Sequence, residues 1–517
     1  MESGATRLGH ASAPPGPAPP REATHVTDRL SRATLAAALP RPGVSGPPLV
    51  PARTGIVHLG LGAFHRAHQA VLTEDAAAAT GDDRWGVLGV TQRSARVVDQ
   101  VAPQDGLYGV LTLDRGREDL RVVAALREAV FPGPTGPGTA HVLTTVASPD
   151  THVVTLTVTE KGYRLGADGR ADLSDEGVLA DLAALRDRGD TAARSATGLL
   201  VRALDRRRRA DAGPLTVVCC DNLTGNGRVL AGVVEDLLGA VGDEDLRAWV
   251  ERSVRFPSTM VDRIVPATTA AHRERAQRLL GLTDEALVVG EPWTQWVLED
   301  AFAGPRPAWE EAGATLTADV EPYERAKLRL LNATHSLLAY AGALRGHATI
   351  AQAVEDDELR AWARAFTDTD VLPTLDAPDG ADLVAYRDSL LDRFANPATG
   401  HTTVQVAMDG SVKLPQRLLG TVRDRLAAGA VPEHAALVVA AWMAYVRAAT
   451  SGTLVVAGQQ VPLDDPLAAT LADAAAGPRD GLADRLLRVE PVFGADLAEH
   501  VGFRSAVASA LRAFPGH

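Results

Sequence analysis

The feature that most constrains the fold is a short apolar run that leads into two glycines. Gly55–Gly60 reads GIVHLG, and its length, flanking glycines and β-branched residues predict a buried strand. Gly60 and Gly62 then turn the chain, residues 64–79 have the pattern of a helix, and residues 85–90 form a second apolar run. A strand, a glycine turn, a helix and a strand in this order predict the opening of a doubly wound α/β domain.

The remaining pattern divides the chain into three parts. Residues 1–26 are rich in Pro, Ala and Gly and predict a disordered tail. Residues 27–319 mix strand and helix patterns, with strands expected at 122–125, 153–158 and 215–219, whereas helical patterns dominate from about residue 320 onward. We therefore expect an α/β protein with a dinucleotide-binding domain at 27–319 and a mostly α-helical domain at 320–517.

Charge and cysteine content narrow the class of protein. The formal net charge of −13 argues against a nucleic-acid-binding protein, which would carry a basic face. The two cysteines, Cys219 and Cys220, are adjacent, so they predict no disulfide framework and fit a reducing cytoplasm. No apolar run approaches the ~18 residues of a membrane span, and no secretory signal is recognisable. We expect a cytoplasmic monomer or small homo-oligomer that acts on a small molecule.

The segment HLGLGAFHRAHQ has the context of a dinucleotide-binding turn, since it follows a predicted strand and begins a helix. Gly60 would permit the tight turn, and Gly62 the close approach of a pyrophosphate to backbone N–H groups. His65 replaces the third glycine of the usual pattern, so an ordinary strand–helix turn stays open as an alternative. The residues expected to contact the coenzyme are Gly60, Gly62, Ala63, Phe64, His65, Arg66, Arg93, Thr159 and Glu160.

The end of the second predicted strand bears on the choice of coenzyme. An acidic residue usually stands there and holds the ribose hydroxyls of NAD. Here the chain reads Val90-Thr-Gln-Arg93, without a carboxylate, and an Arg could accommodate the 2′-phosphate of NADP. We expect NAD and leave NADP open. His65 and His68 could pair on a metal, but no nearby side chain completes a set, so no metal site is predicted.

Lysine and asparagine are rare in this chain and occur near candidate sites. Of 52 basic residues, the lysines are only Lys161, Lys327 and Lys413, and the asparagines are only Asn222, Asn226, Asn332 and Asn396. Where Arg replaces Lys for charge alone, a retained Lys is a candidate for chemistry that Arg cannot perform. A buried ammonium can lose its proton near neutral pH, and a guanidinium cannot.

Lys327, Asn332 and His335 lie in one predicted helix, which is apolar almost all round and therefore buried. At about 100° per residue they stand at roughly 0°, 140° and 80°, on one broad face. Each residue alone could have only a structural role: the lysine could extend its amine to solvent, and the histidine could lie in the core with its hydrogen bonds formed. Together they favour function, since unpaired buried polar groups cost ~1–3 kcal/mol each. The chemistry indicated is a metal-free alcohol dehydrogenase, with Lys327 as base, amides facing the alkoxide, and His335 on a substrate hydroxyl.

Three other segments supply candidates of the same kind. Asp221 and Asn222 follow a predicted strand, at the edge where α/β domains bind ligands. Asp262 and Arg263 stand between apolar residues, and for them a buried ion pair is the structural alternative. Lys413 and Arg393, near the polar turn at 409–413, could hold a polyhydroxy or carboxylate substrate.

Seven motifs in order carry a specific resemblance, from about Leu30 onward. They are GLGAFHRAHQ, LTVTEKGY, CDNLTGNG, FPSTMVDRIVP, EPWTQWVLED, YERAKLRLLNATHS and RFANPATGHTTVQVAMDGSVKLPQRLL. The chain resembles the polyol-specific long-chain dehydrogenase/reductase family, that of mannitol 2-dehydrogenase and fructuronate reductase (mannonate oxidoreductase). The resemblance implies a Rossmann-type N-terminal domain, a largely helical C-terminal domain, and metal-independent hydride transfer at C2 of a polyol or sugar acid.

The same resemblance implies roles for individual residues. Lys327 would be the general base, Asn222 and Asn332 the oxyanion pair, His335 a substrate-binding residue, and Glu324 an aid to proton relay. Asp262 and Lys413 would contact substrate. Asn332-Ala-Thr-His335 stands where the family has NGSH, and Phe256-Pro-Ser-Thr259 where it has FPNS. Both changes keep the charged and amide groups.

Gln405 bears on the substrate. It stands where mannitol-type members have Arg, and the surrounding run is similar to the fructuronate reductase branch. We therefore expect D-mannonate and D-fructuronate. Alternatives are a dehydrogenase acting on mannitol or arabinitol and, from another class, a nucleotide-binding sensor without turnover.

Overall fold

The described residues form fifteen strands and the helices between them. The computed structural model describes residue 1 and residues 28–114, 116–133, 137–166, 169–378 and 381–515, so almost all of the tail predicted at 1–26 lies outside the described residues. In chain order the strands are β1 Val44–Ser45, β2 Thr54–Leu59, β3 Gly86–Val90, β4 Tyr108–Asp114, β5 Arg117–Val123, β6 Leu126–Val130, β7 Val153–Leu156, β8 Leu215–Cys219, β9 Val254–Arg255, β10 Thr259–Asp262, β11 Val288–Gly290, β12 Gln295–Glu299, β13 Thr315–Thr317, β14 Val455–Val456 and β15 Gln459–Gln460.

The largest sheet has six parallel strands in the order β6-β3-β2-β7-β8-β9. Counted along the chain, this order is 3-2-1-4-5-6, that of a dinucleotide-binding doubly wound sheet. Every residue of β3, β7 and β8 is buried, as expected where helices cover both faces of a parallel sheet. The strand order reverses between β2 and β7, so their carboxyl ends border a crevice where ligands bind.

Three smaller sheets extend this framework. A four-stranded sheet has the order β1-β5-β4-β11, a three-stranded sheet the order β10-β12-β13, and a short hairpin joins β14 to β15. The strands β10 and β11 matter for function, because Asp262 at the end of β10 and Glu291 directly after β11 are two buried carboxylates described below.

The helices cover the sheets in the first part of the chain and form the second part almost entirely. In the first part they are α1 Arg32–Ala38, α2 Ala63–Ala67, α3 Gln69–Thr80, α4 Arg96–Val101, α5 Pro137–Val146, α6 Glu176–Arg186, α7 Ala196–Arg209, α8 Asn226–Val241, α9 Glu244–Ser253 and α10 Ala270–Leu280. In the second part they are α11 Glu321–Ala326, α12 Ala333–Leu344, α13 Ile350–Glu355, α14 Asp357–Ala365, α15 Leu383–Phe394, α16 Thr403–Ala407, α17 Gly410–Leu414, α18 Gly420–Ala427, α19 Glu433–Thr450, α20 Ala468–Ala475, α21 Leu482–Leu487, α22 Glu490–Glu499 and α23 Val501–Ala510.

Helix α19 is the centre of the second part. Its sequence EHAALVVAAWMAYVRAAT is apolar on nearly every side, and most of its residues are buried. The many alanines let α12 and α23 pack closely against it, and a large apolar core results. Within the described ranges, no helix combines the length and apolar content that a membrane span requires.

The predicted fold class, a Rossmann-type domain followed by a mostly helical one, is confirmed. Two helix predictions need correction. The helix predicted at 64–79 is broken at His68, whose φ of −123° and ψ of −86° are not helical, and whose ring reaches the Gln295 carbonyl at 2.9 Å. The predicted helix that carries Lys327, Asn332 and His335 contains a π-helical segment, Lys327–Asn332, between α11 and α12.

Candidate active site

A cavity of about 700 Å³ lies at the crevice of the parallel sheet, where the helical domain covers it. Its wall on the sheet side follows the ends of β2, β7, β8 and β10, at residues 62–64, 157–161, 220–222 and 261–265. The helical side contributes Lys327, Leu331, Asn332, His335, Phe394 and His401. Most of the polar residues predicted from separate motifs therefore meet in one space.

The glycine turn after β2 forms one end of this cavity. Gly60 has a φ of +101°, and a Cβ there would collide with the Thr157 carbonyl group of β7, so only glycine fits. A Cβ at Gly62 would meet only the Gly60 oxygen at 3.6 Å, which leaves room on the cavity side. The first N–H groups of α2 have no acceptor within their helix. These features fit the pyrophosphate of a dinucleotide.

Buried histidines support the turn from the side away from the cavity. One ring nitrogen of His58 lies 2.7 Å from Thr155 Oγ1, and the other lies 2.9 Å from Thr157 Oγ1. Burial lowers the pKa of His58 to about 3, so the ring is neutral. His65 stacks on His58 with ring centroids 3.4 Å apart, and Arg66 donates to the carbonyls of Gly62 and Ala286.

The predicted coenzyme residues therefore separate into two groups. Gly62, Ala63, Phe64 and Thr159 line the cavity, whereas His65 and Arg66 are buried behind the turn. Gly60 shapes the turn, and Arg93 is exposed beyond the end of β3, outside the cavity wall. Of Glu160 only the backbone is described, in the short 3₁₀ segment Glu160–Tyr163.

Asp221, at the end of β8, holds the neighbouring loop in place. Its carboxylate accepts the backbone N–H groups of Val158 at 3.1 Å and Thr159 at 2.8 Å, and the hydroxyl of Tyr163 at 2.6 Å. Burial raises the pKa of Asp221. Thr159 has a φ of +67°, which is strained for a β-branched residue, so these bonds keep a cavity-lining residue in a costly conformation.

Lys327 and Asn222 meet across the two domains. Lys327 Nζ donates to Asn222 Oδ1 at 2.8 Å, and the lysine side chain is buried with its end at the cavity. Burial lowers the pKa of Lys327, and the nearby Arg417 and Arg393 lower it further, while Asp262 and Glu324 raise it. With its oxygen bound to Lys327, the amide of Asn222 keeps its NH₂ group for another acceptor.

The π-helical segment sets the relation between Lys327 and Asn332. The N–H of Ala333 bonds to the carbonyl of Leu328, five residues back, and the wider turn replaces the α-helical one assumed from the sequence. The predicted angle of roughly 140° between Lys327 and Asn332 is therefore wrong. The two lie one π turn apart, and both face the cavity. The side chain of Asn332 forms no hydrogen bond within the described part of the chain.

Glu324 lies behind Lys327, one helical turn earlier. Both of its carboxylate oxygens lie 3.2 Å from the N–H of Gly225, in the loop after β8. A small void beside the main cavity is lined by Glu324, Lys327 and Asn222. Burial raises the pKa of Glu324.

Asp262 is paired, but with a partner other than its neighbour in sequence. Arg393 donates to Asp262 at 2.6 and 3.1 Å and to Glu291 at 3.0 and 2.7 Å, and all three side chains are buried. Trp293 donates to Asp262 at 3.1 Å. Arg263 instead binds backbone carbonyls, including that of Glu291. Asp262 lines the cavity, and Arg393 holds it there.

The remaining predicted substrate residues lie farther out. Lys413 Nζ donates to the Val406 carbonyl at 3.2 Å, and Gln405 is exposed on α16. Neither lines the cavity, although Lys413 is close enough to lower the pKa of His335.

Two family models match the chain: the Mannitol dehydrogenase Rossmann domain at residues 54–311 and the Mannitol dehydrogenase C-terminal domain at residues 319–514. The chain belongs to the mannitol dehydrogenase family. The family and the enzyme class, an oxidoreductase of the dehydrogenase type, are confirmed as predicted.

Relatives from several branches of the mannitol dehydrogenase family match most of the chain. The D-mannonate oxidoreductase of Escherichia coli (strain K12) is 40% identical over 88% of this chain and 92% of its own. The mannitol 2-dehydrogenase of Cereibacter sphaeroides is 36% identical over 89% of this chain and 93% of its own. The Pseudomonas fluorescens mannitol 2-dehydrogenase, solved as a ternary complex with NAD and D-mannitol, is 34% identical, with a TM-score of 0.80 over 94% of this chain and 97% of its own.

Some residues of this mannitol dehydrogenase family site were missed by sequence reasoning. His401 and Phe394 line the cavity and stack beside His335, and Glu291 completes the ion pair of Arg393. Glu291 opens the motif EPWTQWVLED, and His401 lies in the motif that begins RFANPATGHTT, so both had a usable signal, although no role was assigned to either. Within the described ranges, no three His, Cys, Asp or Glu side chains are grouped closely enough to hold a metal ion.

Proposed function

We propose that the protein is an NAD-dependent dehydrogenase that oxidises a sugar acid at the carbinol next to its terminal CH₂OH group, with Lys327 as general base. In ketose numbering this carbon is C2, and D-mannonate and D-fructuronate are the first candidate pair. The observation that carries the proposal is the buried Lys327 amine, 2.8 Å from Asn222 and facing the cavity that begins at the dinucleotide turn.

Lys327 is suited to remove the hydroxyl proton. A general base must be neutral at working pH, and desolvation favours the neutral amine, as the lowered pKa of Lys327 reflects. Its bond to Asn222 fixes the nitrogen beside the place of the reacting carbinol. A nicotinamide coenzyme held at the glycine turn would supply the acceptor for the hydride from the same carbon.

The two asparagines are suited to hold the oxygen on which charge develops. The NH₂ group of Asn222 is left over from its bond to Lys327, and Asn332 faces the same space from the π turn. Preformed amide donors in a site closed to water stabilise an alkoxide more than its alcohol.

Glu324 is suited to take the proton onward from Lys327. It stands behind the amine, and its raised pKa means that its carboxylate accepts a proton more readily than an exposed one. Asp262 and His335 face the cavity as acceptors or donors for substrate hydroxyls, and Arg393 positions Asp262.

The charges around the cavity favour an acid over a neutral polyol. Arg417, Lys413 and Arg393 all lower the pKa of His335, and no carboxylate is among its main influences. A carboxylate would be stabilised there. The 40% identity to a D-mannonate oxidoreductase supports the same choice. A mannitol-type activity is the alternative, supported by the structural match to the P. fluorescens enzyme.

The substrate is tested with purified protein, NADH or NADPH, and the keto compounds D-fructuronate, D-tagaturonate and D-fructose. We expect oxidation of NADH with a uronate at a higher kcat/KM than with D-fructose. A preference for D-fructose would contradict the proposal of an acid substrate. If none of the three compounds led to oxidation of the coenzyme, the proposal that the protein is an enzyme would be contradicted.

Replacing the base tests its role. In Lys327→Ala we expect kcat to fall by about 10² to 10⁴, since general-base catalysis contributes a factor of this size. Lys327→Arg keeps the charge but cannot act as a base near neutral pH, so it should be equally slow. NADH binding, followed by fluorescence, should stay within a few-fold of the wild-type value. A near-normal rate in Lys327→Ala would remove Lys327 as the base.

A further inference from the structure

Three aromatic rings lie together on the helical side of the cavity. The ring centroid of His335 is 4.9 Å from that of Phe394 and 5.6 Å from that of His401, and both pairs are within 20° of parallel. All three residues line the cavity. We call this group the ring column (Phe394, His335 and His401). It lies about two helical turns beyond Lys327 along the chain, so the cavity extends from the reacting centre toward it.

The backbone of His401 is fixed, while its ring is left for the cavity. The His401 carbonyl accepts the N–H of Ile350 at 2.9 Å, and Thr402 pairs with Thr349 in an isolated bridge. Thr402 also caps α16, since its hydroxyl accepts the N–H of Gln405 at 3.2 Å. The ring nitrogens of His401 form no hydrogen bond within the described part of the chain.

The charge around Lys327 differs from the charge around His335. At Lys327, the carboxylates of Asp262 and Glu324 oppose the cations around the amine. At His335, the main influences after burial are His401, Arg417, Lys413 and Arg393, all cationic groups or histidine. Arg393 is paired with Asp262 and Glu291, and no carboxylate is among the main influences on His335. An anionic group is therefore favoured at the ring column and not at the base.

We propose that His401 is a specificity-determining residue that binds the carboxylate end of the substrate, while the carbinol at the other end reacts at Lys327. This inference rests on the proposed sugar-acid function. In that substrate class the carboxylate and the reacting carbinol stand at opposite ends of the carbon chain, which matches the separation of the ring column from Lys327 along the cavity wall. His401 donates one ring N–H to the carboxylate, and its stacking against His335 holds the donor in place.

The contribution of such a contact depends on the charge of the acceptor. A hydrogen bond to a charged acceptor is roughly twice as strong as one to a neutral hydroxyl. Loss of the His401 N–H should therefore penalise an acid more than the matching alcohol. D-Fructuronate and D-fructose provide the matched pair, because they share the reacting ketone and differ at the far end in carboxylate against CH₂OH.

The test compares kcat/KM for these two compounds, with NADH, in wild type, His401→Phe and His401→Gln. Phe keeps a planar ring for stacking without a donor, and Gln keeps an N–H donor. We expect His401→Phe to lower the ratio of D-fructuronate to D-fructose about ten-fold. His401→Gln should recover part of this loss. His141→Phe, on the exposed face of α5, is the matched control and should leave the ratio unchanged.

A second readout does not depend on turnover. With NAD present, D-mannonate should raise the melting temperature of the wild type more than D-mannitol does, and His401→Phe should remove the difference. An unchanged ratio and an unchanged thermal difference in His401→Phe would overturn the role of His401, as would an equal loss with both compounds. A wild type that prefers D-fructose overturns the acid substrate itself, which is a separate result visible before any variant is made.

Discussion

At the scale of single residues, the buried amine of Lys327 has the largest consequences. Only three of the 52 Lys and Arg residues in this chain are lysines, and Lys327 lies beside Asn222 at the cavity wall. Composition alone indicated a chemical role for Lys327, since an Arg could have filled any role that needs only a positive charge. Composition also marked Asn222 and Asn332. Composition could not indicate His401, because the chain has 14 histidines, and the motif that contains His401 gave it no separate role.

The lowered pKa of Lys327 predicts opposite pH profiles for the two directions of reaction. Oxidation needs the neutral amine, so kcat/KM should rise with pH and level off above the pKa of Lys327. Reduction needs the ammonium and should fall over the same range. The inflection should lie below the ordinary value of 10.5, because burial lowers this pKa.

The variant Glu324→Gln provides a second test of this pH profile. The carboxylate of Glu324 raises the pKa of Lys327, so its removal should shift the inflection to lower pH. Initial rates between pH 6 and 10 in both directions measure the shift. An inflection that stays in place in this variant, or profiles that run parallel in the two directions, would contradict Lys327 as the titrating base.

Arg93 supports a prediction about the second coenzyme. It is exposed at the end of β3, where a ribose-binding carboxylate usually stands, and Gln92 and Ser94 supply no negative charge. We expect measurable activity with NADP, and Arg93→Glu should lower kcat/KM for NADP at least ten-fold while that for NAD changes little. Arg96→Glu, exposed three residues later, is the matched control. If both variants lowered kcat/KM for NADP equally, the loss would come from added negative charge on this surface and not from a specific contact of Arg93.

At the scale of elements, sequence periodicity predicted the existence of helices and strands better than their interruptions. The buried strands β2, β3, β7 and β8 are short apolar runs between turns, and all four were expected from that pattern. The π turn at Lys327–Asn332 could not be expected, because a π turn changes the hydrogen-bond ladder and leaves the apolar pattern of a buried helix unchanged. The sequence therefore predicted that Lys327, Asn332 and His335 share one face, but the predicted rotation angles between them were wrong.

The strands β10, β12 and β13 were missed for a different reason. They are three to five residues long and lie between irregular segments, and their pairing is set by partners distant in sequence. Yet β10 ends in Asp262, which lines the cavity. Part of the candidate site thus depends on contacts that no local pattern encodes.

At the scale of the whole molecule, a buried ion triad joins the two domains. Arg393 lies in the last turn of α15 in the helical domain, while in the α/β domain Asp262 ends β10 and Glu291 follows β11. Arg393→Met would leave two buried carboxylates without their cation, which we expect to lower the free energy of unfolding by about 3–5 kcal/mol.

Arg387 on the same helix is the matched control for this prediction. Its side chain is as buried as that of Arg393, but its partners Asp368 and Asp388 are 44% and 50% exposed, so water can solvate them after Arg387→Met. We expect a loss of about 1 kcal/mol or less there. Urea unfolding followed by tryptophan fluorescence measures both. Equal losses in the two variants would contradict a special role for the Arg393 triad.

The contact between Lys327 and Asn222 also has a consequence for how the protein can be divided. Lys327, the proposed base, lies on one side of the junction near residue 318, and Asn222 lies on the other. Neither half carries both residues of the proposed catalytic pair, so we expect dehydrogenase activity from two separately expressed fragments only after their reassembly. Recovery of activity on mixing the two fragments would thus measure how well the two domains assemble.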